Sequence, residues 1–323
     1  MNTPRQNLFR RLGTGSALFL ALLGGVVAYF AYAPRAPLPP GLIAEGTLDI
    51  GGMQRHYQAF VPANLKEGAS VLFVYHPSQS NSGEIRRIVG GVLERIAEQD
   101  NLIVVYPDGY EGHFNDCRIE AAYSARKLNV DDIGFTRRII ETLVAEKKID
   151  TKHVFALGFS NGGQMALRLA LETPDLIRGV AAIGANLPTS DNMDCKVAAT
   201  PSRCVVLVAG TRDRISPYRG GLVTLFGFGS RGHVLSSQAS AEWFANALGL
   251  PSAGTQTLET VNDLQAEQQD WKSPKGHVRL ITIKGGGHTV PQAGYGYAPM
   301  FGATYRSDSI LESTWQLFAA NRN

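Results

Sequence analysis

Two kinds of hydrophobic pattern alternate along the chain from about residue 42 to its end. Short continuous apolar runs predict buried β-strands, because a strand covered on both faces has no polar side to alternate with. Segments with apolar residues three and four positions apart predict amphipathic helices. The predicted strands are Thr47–Ile50, Met53–Val61, Val71–Tyr75, Leu102–Tyr106, Val154–Gly158, Val180–Ile183, Val205–Ala209 and His277–Ile283, and the predicted helices are Ile85–Gln99, Val130–Lys148, Gly162–Leu171, Ala239–Leu248 and Ser309–Ala320.

This alternation predicts an α/β fold with a mostly parallel central sheet and helices on both faces. Gly51 and Gly52, between the first two strands, are typical of a hairpin turn and predict an antiparallel N-terminal edge. No linker interrupts the pattern, so we expect a single catalytic domain at 42–323. Because open sheets of this kind bind ligands at the carboxyl ends of their strands, we expect the chemistry in the loops that follow the strands.

The first 41 residues have a different composition, with four arginines and no acidic residue. Three of these arginines precede an uncharged, mostly apolar stretch at Ser16–Ala33, and a Pro-rich linker follows at 34–41. Segment 1–33 is therefore either a signal peptide cleaved after Ala33 or a membrane anchor. We favour the anchor because Pro34 would follow the cleavage site directly. In both cases the domain is expected to be exported, either as a periplasmic domain anchored to the inner membrane or as a secreted protein. Contact with the membrane is expected only through this segment.

Charge and cysteine content narrow the range of partners. Of the 31 Lys and Arg residues, subtracting the four near the N-terminus leaves 27 against 28 acidic residues, so no nucleic-acid partner is expected. In an exported domain, Cys117, Cys195 and Cys204 predict one disulfide and one free thiol, with the pairing left open. No C-x-x-C motif or histidine pair accompanies them, so we expect no metal, and we also expect no cofactor.

The clearest chemical motif is Gly158-Phe159-Ser160-Asn161-Gly162, which matches G-x-S-x-G. It lies between a predicted strand and a predicted helix, the context in which a sharp turn exposes a nucleophilic serine. A side chain at either glycine would crowd that turn, and Ser160 itself is expected in an unfavourable backbone conformation. Ser160 is therefore the candidate nucleophile.

A nucleophilic serine needs a general base, and in this fold the acid and then the histidine follow the serine along the chain. That order leaves His233, His277 and His288. His277 begins a strand, at the wrong end of the sheet, and no strand immediately precedes His233. His288 follows a predicted strand and three glycines, so we predict that it accepts the Ser160 proton.

The acid is expected on a loop after a strand between these two residues. Asp213 follows within three residues of Gly210, where a strand ends, whereas Asp191 and Asp194 precede that strand. We therefore predict that Asp213 orients the imidazole of His288.

The oxyanion of the reaction needs two backbone N–H donors. One is expected from Asn161, the residue after the nucleophile. The other is expected from the loop after Val71–Tyr75, where Pro77 has no N–H. Ser78 is the first choice there and Gln79 the second.

Together these residues resemble the esterase and polyhydroxybutyrate depolymerase family, which is related to feruloyl and acetylxylan esterases within the α/β-hydrolase superfamily. The resemblance covers about residues 45–320 and rests on Tyr106–Gly109 (YPDG), Phe114–Cys117 (FNDC), Val130–Phe135 (VDDIGF), Gly158–Ala170 (GFSNGGQMALRLA), Gly210–Tyr218 (GTRDRISPY), Gly285–Pro291 (GGGHTVP) and Glu312–Phe318 (ESTWQLF). Two positions depart from the family pattern: Pro77 stands where a glycine is usual, and Val290 where a tryptophan is usual.

The resemblance implies an exported serine carboxylester hydrolase of α/β-hydrolase fold that works through an acyl-enzyme. Its substrates would be small or oligomeric esters of the hydroxyalkanoate, feruloyl or acetyl type. The resemblance also implies that Phe114 and Asn115 border the site, and we expect Phe159 and Tyr218 to line the substrate pocket. The alternatives are a serine peptidase on the same scaffold and a non-catalytic envelope binding protein.

Overall fold

The computed structural model describes residues 23–29, 32, 37–41 and 43–321. Residues 23–29 are helical. Within these ranges, no helix combines the length and the apolar character that crossing a membrane requires. The predicted signal peptide or anchor at 1–33 and the linker at 34–41 lie largely outside the described residues, so both stay predictions.

The described part of the domain alternates strands and helices in the predicted order, with additional elements. The strands are β1 (Ile43–Ile50), β2 (Met53–Phe60), β3 (Ser70–Tyr75), β4 (Leu102–Pro107), β5 (Val154–Phe159), β6 (Gly179–Ile183), β7 (Cys204–Gly210), β8 (Gly221–Leu222), β9 (His233–Val234), β10 (Ser252–Val261), β11 (Leu264–Ser273) and β12 (Gly276–Lys284). The α-helices are α1 (Ser82–Asp100), α2 (Ser124–Lys127), α3 (Asp132–Lys147), α4 (Asn161–Glu172), α5 (Ser237–Ala247) and α6 (Ser309–Ala320), and short 3₁₀ turns lie at Ser190–Asn192 and Pro299–Phe301.

Ten strands form one sheet in the order β1-β2-β4-β3-β5-β6-β7-β12-β11-β10. The central pairs from β4 to β12 are parallel, and the β1–β2 hairpin forms an antiparallel edge as predicted. A second antiparallel edge, made by β10 and β11, was not predicted from the sequence. The predicted α/β fold with a mostly parallel sheet and helices on both faces is confirmed.

Helices cover both faces of the sheet because the side chains of each central strand alternate between two cores. In β3, Val71 and Phe73 pack into the core beneath α3, α4 and α5, whereas Leu72 and Val74 pack into the core beneath α1 and α6. All four side chains are almost completely buried. This burial on both faces explains the continuous apolar runs of the sequence.

Local side-chain contacts define the ends of several helices. Asn81, Asp131 and Ser236 each accept a hydrogen bond from the backbone N–H three residues further on, which satisfies a donor that the first turn leaves free. Helices α1 and α3 both end at a residue with positive φ, Asn101 at 50° and Lys148 at 51°. The three N-terminal caps fix where the loops at the carboxyl edge of the sheet end and the helices begin.

Candidate active site

Ser160 occupies a sharp turn between β5 and α4, with φ of 56° and ψ of −115°. Its backbone N–H donates to the carbonyl of Ile183 at 2.8 Å, which ties the turn to the neighbouring strand. A Cβ on Gly158 would overlap the carbonyl oxygen of Gly162, and one on Gly162 would overlap that of Tyr75. The predicted strained turn and the steric need for both glycines are confirmed.

Asp213 and His288 form a buried pair at the carboxyl ends of β7 and β12. Asp213 Oδ2 lies 2.6 Å from His288 Nδ1. The other carboxylate oxygen, Oδ1, accepts the backbone N–H groups of Ile215 and Ser216, both at 2.8 Å. These two bonds fix the plane of the carboxylate, so that only Oδ2 remains for the imidazole.

Three further features hold His288 in place. The backbone N–H of His288 donates to the carbonyl of Phe301 at 2.7 Å. The Phe159 ring lies against the imidazole, with 4.9 Å between the ring centroids. Gly184, with φ of 59°, lies so close that a Cβ there would be 3.1 Å from ring atoms Cε1 and Nδ1. The histidine therefore has little freedom to leave its position.

Ser160 and His288 line the same cavity, which has a volume of about 120 Å³. Ser78 and Phe159 also line it. The structure thus brings the predicted nucleophile and base to one cavity and places Asp213 behind the base.

The loop after β3 places Ser78 at the cavity. The backbone N–H of Gln79 is not free to act as the second oxyanion donor. The Gln79 residue has φ of 56°, and its N–H donates to the carbonyl of Gly112 at 2.9 Å. That N–H is therefore occupied. Ser78 N–H has no acceptor among the described residues, and Asn161 N–H begins α4, where the first N–H groups have no intrahelical acceptor.

His76 shapes this loop from beneath. Its Nε2 accepts the backbone N–H of Gly109 at 2.8 Å, so Nδ1 carries the proton and donates to the carbonyl of Pro77 at 2.7 Å. Burial lowers the pKa of His76 to about 4 and keeps the ring neutral near pH 7. The neutral ring thus links the Gly109 N–H to the Pro77 carbonyl and holds the backbone that leads into Ser78.

The side chain of Asn161 has a positioning role that the sequence analysis missed. It accepts the N–H of Phe114 at 2.8 Å and donates to the Phe114 carbonyl at 3.0 Å. It also donates to Asp116 Oδ2 at 2.8 Å and to the Tyr123 hydroxyl at 3.0 Å. These four bonds tie the nucleophile turn to the loop that carries Phe114.

Three of the four predicted pocket residues lie outside the cavity lining. Phe114 is fully buried against Tyr75 and His76. Asn115 is also fully buried, and its side-chain amide donates to the carbonyl of Val130 at 3.0 Å. Tyr218 bonds through its hydroxyl to Thr282 Oγ1 at 3.0 Å. Each side chain is engaged elsewhere in the packing, so of the four only Phe159 reaches the cavity.

Five polar residues of the cavity wall were not found from the sequence. Arg118, Gln164, Ser216, Thr224 and Arg231 all line the cavity. They are spread along the chain, and no local pattern marks them as lining residues. Ser216 lies three residues after Asp213, which is the one sequence signal that pointed near it.

Cys117 and Cys195 form a disulfide, and Cys204 is a buried free thiol. This agrees with the predicted one disulfide and one free thiol. Burial raises the pKa of Cys204 to about 12, so this thiol is unreactive near pH 7. Within the ranges that the structure describes, one group has the composition of a metal site, Cys117 with Glu172 and Cys195. Its two cysteines are bonded to each other and offer no thiolate.

The chain is similar in sequence to several esterases. A family model described as Phospholipase/Carboxylesterase matches residues 128–240, which include Ser160 and Asp213. The protein "Putative esterase NocK" of Nocardia uniformis subsp. tsuyamanensis is 27% identical over 306 residues, 89% of this chain and 86% of that protein. Feruloyl esterase B of Piromyces equi is 25% identical over 230 residues. That match covers 69% of this chain and 40% of that protein, so the chain spans less than half of its length.

The solved structure of an acetyl xylan esterase from Aspergillus awamori has a similar fold. It superposes with a TM-score of 0.55 at 16% sequence identity and covers 79% of this chain and 96% of that one. The chain has the α/β-hydrolase fold. Its sequence is similar to phospholipases, carboxylesterases and other esterases.

Proposed function

We propose that Ser160, His288 and Asp213 form the catalytic triad of a serine carboxylester hydrolase that works through an acyl-enzyme. One observation carries the proposal: Ser160, in its strained turn, and His288, bonded to Asp213 at 2.6 Å, line one cavity. A strained, partly buried serine that shares a cavity with a carboxylate-oriented histidine is the arrangement expected to activate a hydroxyl nucleophile.

In the first half of the reaction, His288 Nε2 takes the Ser160 proton while Oγ attacks the ester carbonyl carbon. The tetrahedral intermediate collapses as the carbon–oxygen bond to the alcohol breaks, and His288 returns the proton to the leaving alcohol. In the second half, water attacks the acyl carbon and gives a proton to His288, the bond to Ser160 Oγ breaks, and His288 returns the proton to Oγ as the carboxylic acid leaves. Asp213 keeps a proton on Nδ1 throughout and stabilises the imidazolium that forms in each half.

The backbone N–H groups of Asn161 and Ser78 are proposed to bind the oxyanion of both tetrahedral intermediates. Loss of one such donor typically lowers kcat by about 10²–10³. The occupied N–H of Gln79 supports Ser78 as the second donor.

The cavity favours a short acyl group among the ester classes considered. A 150 Å³ apolar cavity in another protein holds one benzene molecule, and the volume here is about 120 Å³. An acetyl or 3-hydroxybutyryl group fits that space better than a feruloyl group, which carries a substituted ring on an extended linker. We propose acetyl- and hydroxyalkanoyl-type esters first and feruloyl esters second.

A substrate panel tests this function. Wild type and Ser160→Ala are assayed on acetyl, 3-hydroxybutyryl and feruloyl esters and on peptide anilides, with Ser252→Ala, an exposed serine on β10, as the matched control. We expect ester hydrolysis by wild type and by Ser252→Ala, and none above background by Ser160→Ala. Faster turnover of anilides than of esters would indicate a peptidase, and no turnover of either would indicate a binding protein.

We also propose that the domain is exported. The Cys117–Cys195 disulfide supports this, since such bonds persist in oxidising compartments, as does the basic and apolar pattern of residues 1–33. Alkaline phosphatase fused after residue 45 should be active in a bacterial host, and the intact mass of the purified protein distinguishes a cleaved signal peptide from a retained anchor. An inactive but expressed fusion would contradict export.

A further inference from the structure

The wall of the active-site cavity carries two cationic side chains, Arg118 and Arg231. Within the part of the chain that the structure describes, its lining includes no carboxylate. An ester group is neutral, so hydrolysis itself does not need this positive charge. Arg118 is buried and Arg231 is partly buried. Because removing a charge from water is unfavourable unless it is compensated, a partner of opposite charge would stabilise each of them.

Arg118 is already compensated. Its Nε lies 3.1 Å from Asp116 Oδ1 and its Nη2 lies 2.6 Å from Asp116 Oδ2, and both side chains are buried. Although burial opposes ionisation, Arg118 holds the pKa of Asp116 below its ordinary value. This pair is therefore neutral as a unit and forms a rigid backing for the cavity wall.

Arg231 has no such partner. Among the described residues no carboxylate pairs with it, and its Nη1 donates to the carbonyl of Gly229 at 3.2 Å. Its guanidinium carbon lies 5.4 Å from the centre of the Tyr123 ring, whose hydroxyl contacts Arg118. Burial and the nearby Arg118 charge lower its pKa, yet a guanidinium stays protonated near neutral pH. The two arginines and Asp116 thus leave one net positive charge at the wall.

Two buried polar atoms of the same wall also have no hydrogen-bond partner among the residues that the structure describes. They are Gln164 Oε1 and Ser216 Oγ, on side chains that are 3% and 7% exposed. The other end of Gln164 is fixed, since its Nε2 donates to the carbonyl of Asn186 at 2.8 Å. Buried polar atoms almost always have partners. A ligand with its own polar groups would supply them.

We propose that the cavity selects esters that carry a carboxylate on either the acyl or the alcohol part, bound by Arg231. The inference rests on the proposed ester hydrolysis and adds the substrate class. One net positive charge matches a monoanion, and the planar fork of a guanidinium matches the two oxygens of a carboxylate. Gln164 Oε1 accepts a hydrogen bond from a hydroxyl of such a substrate, and the Ser216 hydroxyl can donate one.

Two pairs of near-isosteric esters test the proposal and distinguish the acyl side from the alcohol side. Monomethyl glutarate and methyl 5-methylhexanoate differ at the end of the acyl chain. 4-Acetoxybenzoate and 4-isopropylphenyl acetate differ on the leaving group. Each pair gives a ratio of kcat/KM, anionic over neutral, for wild type, Arg231→Gln, Arg231→Lys and the control Arg138→Gln. Arg138 is exposed on α3, so its replacement makes the same change in net charge away from the cavity.

We expect Arg231→Gln to lower the ratio by about 10–100-fold for one of the two pairs, the range for a lost hydrogen-bonded charge contact. Arg231→Lys should retain only part of the ratio, because lysine keeps the charge but loses the planar fork, and Arg138→Gln should leave the ratio unchanged. A merely structural role of Arg231 would lower kcat/KM for both members alike and leave the ratio unchanged, and that result would overturn the proposal. An equal fall of the ratio in Arg138→Gln would overturn it as well.

A binding experiment separates failure of this inference from failure of the proposed function. Free glutarate and 4-hydroxybenzoate are titrated into Ser160→Ala, which needs no turnover, and the shift in melting temperature is measured. A shift with either anion that Arg231→Gln abolishes supports the site even if no ester is hydrolysed. Hydrolysis of all four esters without any effect of Arg231 on ratio or shift would overturn the anion site and leave the esterase function intact.

Discussion

Replacement of Asp213 by asparagine tests the triad with almost no change in shape. Asp213 Oδ1 accepts two backbone N–H groups at 2.8 Å, and only an oxygen can accept them. The asparagine oxygen must therefore take that position, which turns the amide NH₂ toward His288 Nδ1, now 2.6 Å from Oδ2. Because the NH₂ group donates, Nδ1 must become the acceptor, and the imidazole proton moves to Nε2.

With its proton on Nε2, His288 cannot accept the proton of Ser160. The same exchange in a serine protease triad lowers kcat by about 10⁴, which corresponds to roughly 5.5 kcal/mol of lost transition-state stabilisation. We expect a loss of this order here, since the two N–H donors leave the amide no alternative orientation.

The assay is kcat on the best ester of the panel, with circular dichroism and thermal melting to check the fold. Asp270→Asn is the matched control, because Asp270 also contacts a histidine, His277, with Oδ1 3.0 Å from Nε2, but lies on β11 away from the cavity. We expect kcat of Asp270→Asn to stay near that of wild type. A folded Asp213→Asn variant that retained more than a tenth of the wild-type kcat would refute the tautomer argument.

Three further predictions concern crowding, the disulfide and pH. Gly184→Ala places a Cβ 3.1 Å from the His288 ring at a φ of 59°, so kcat should fall at least tenfold in steady-state assays while the circular dichroism spectrum stays native. Joint replacement of Cys117 and Cys195 by serine opens a loop of 78 residues and should cost about 4 kcal/mol in urea unfolding, whereas an unchanged midpoint would contradict it. Although burial opposes ionisation, the hydrogen bonds to Asp270 hold its pKa below the ordinary value. The contribution of ionised Asp270 to folding stability is therefore present above about pH 4 and is lost as the pH falls. Asp270→Asn should have a lower melting temperature than wild type at pH 7, and this difference in melting temperature should shrink in acid.

The parallel core and the order of the candidate triad could be predicted because both are recorded locally. Strands such as β3 and β5 are buried on both faces, which leaves continuous apolar runs. The turn at Ser160 requires glycines on both sides, and His288 follows a strand end directly. Each of these signals lies within a few residues of the feature that it predicts.

The rest depends on contacts between distant segments. Strand β10 is almost wholly exposed and polar, so its sequence lacks the apolar run that identified the other strands. Arg118 and Arg231 meet only through the tertiary fold, and the pairing of Cys117 with Cys195 rather than Cys204 depends on the fact that Cys204 begins the buried strand β7. Phe114 and Asn115 do lie next to the nucleophile turn, but their side chains point into the packing beneath it.

The central claim, that Ser160 is the nucleophile, is tested most directly by covalent labelling. The wild-type protein is treated with a fluorophosphonate, its intact mass is measured, and the modified peptide is mapped. The account predicts one adduct per chain, on Ser160, and none on Ser160→Ala under the same conditions. Equal labelling of Ser160→Ala, or a wild-type adduct that maps to another serine, would contradict it.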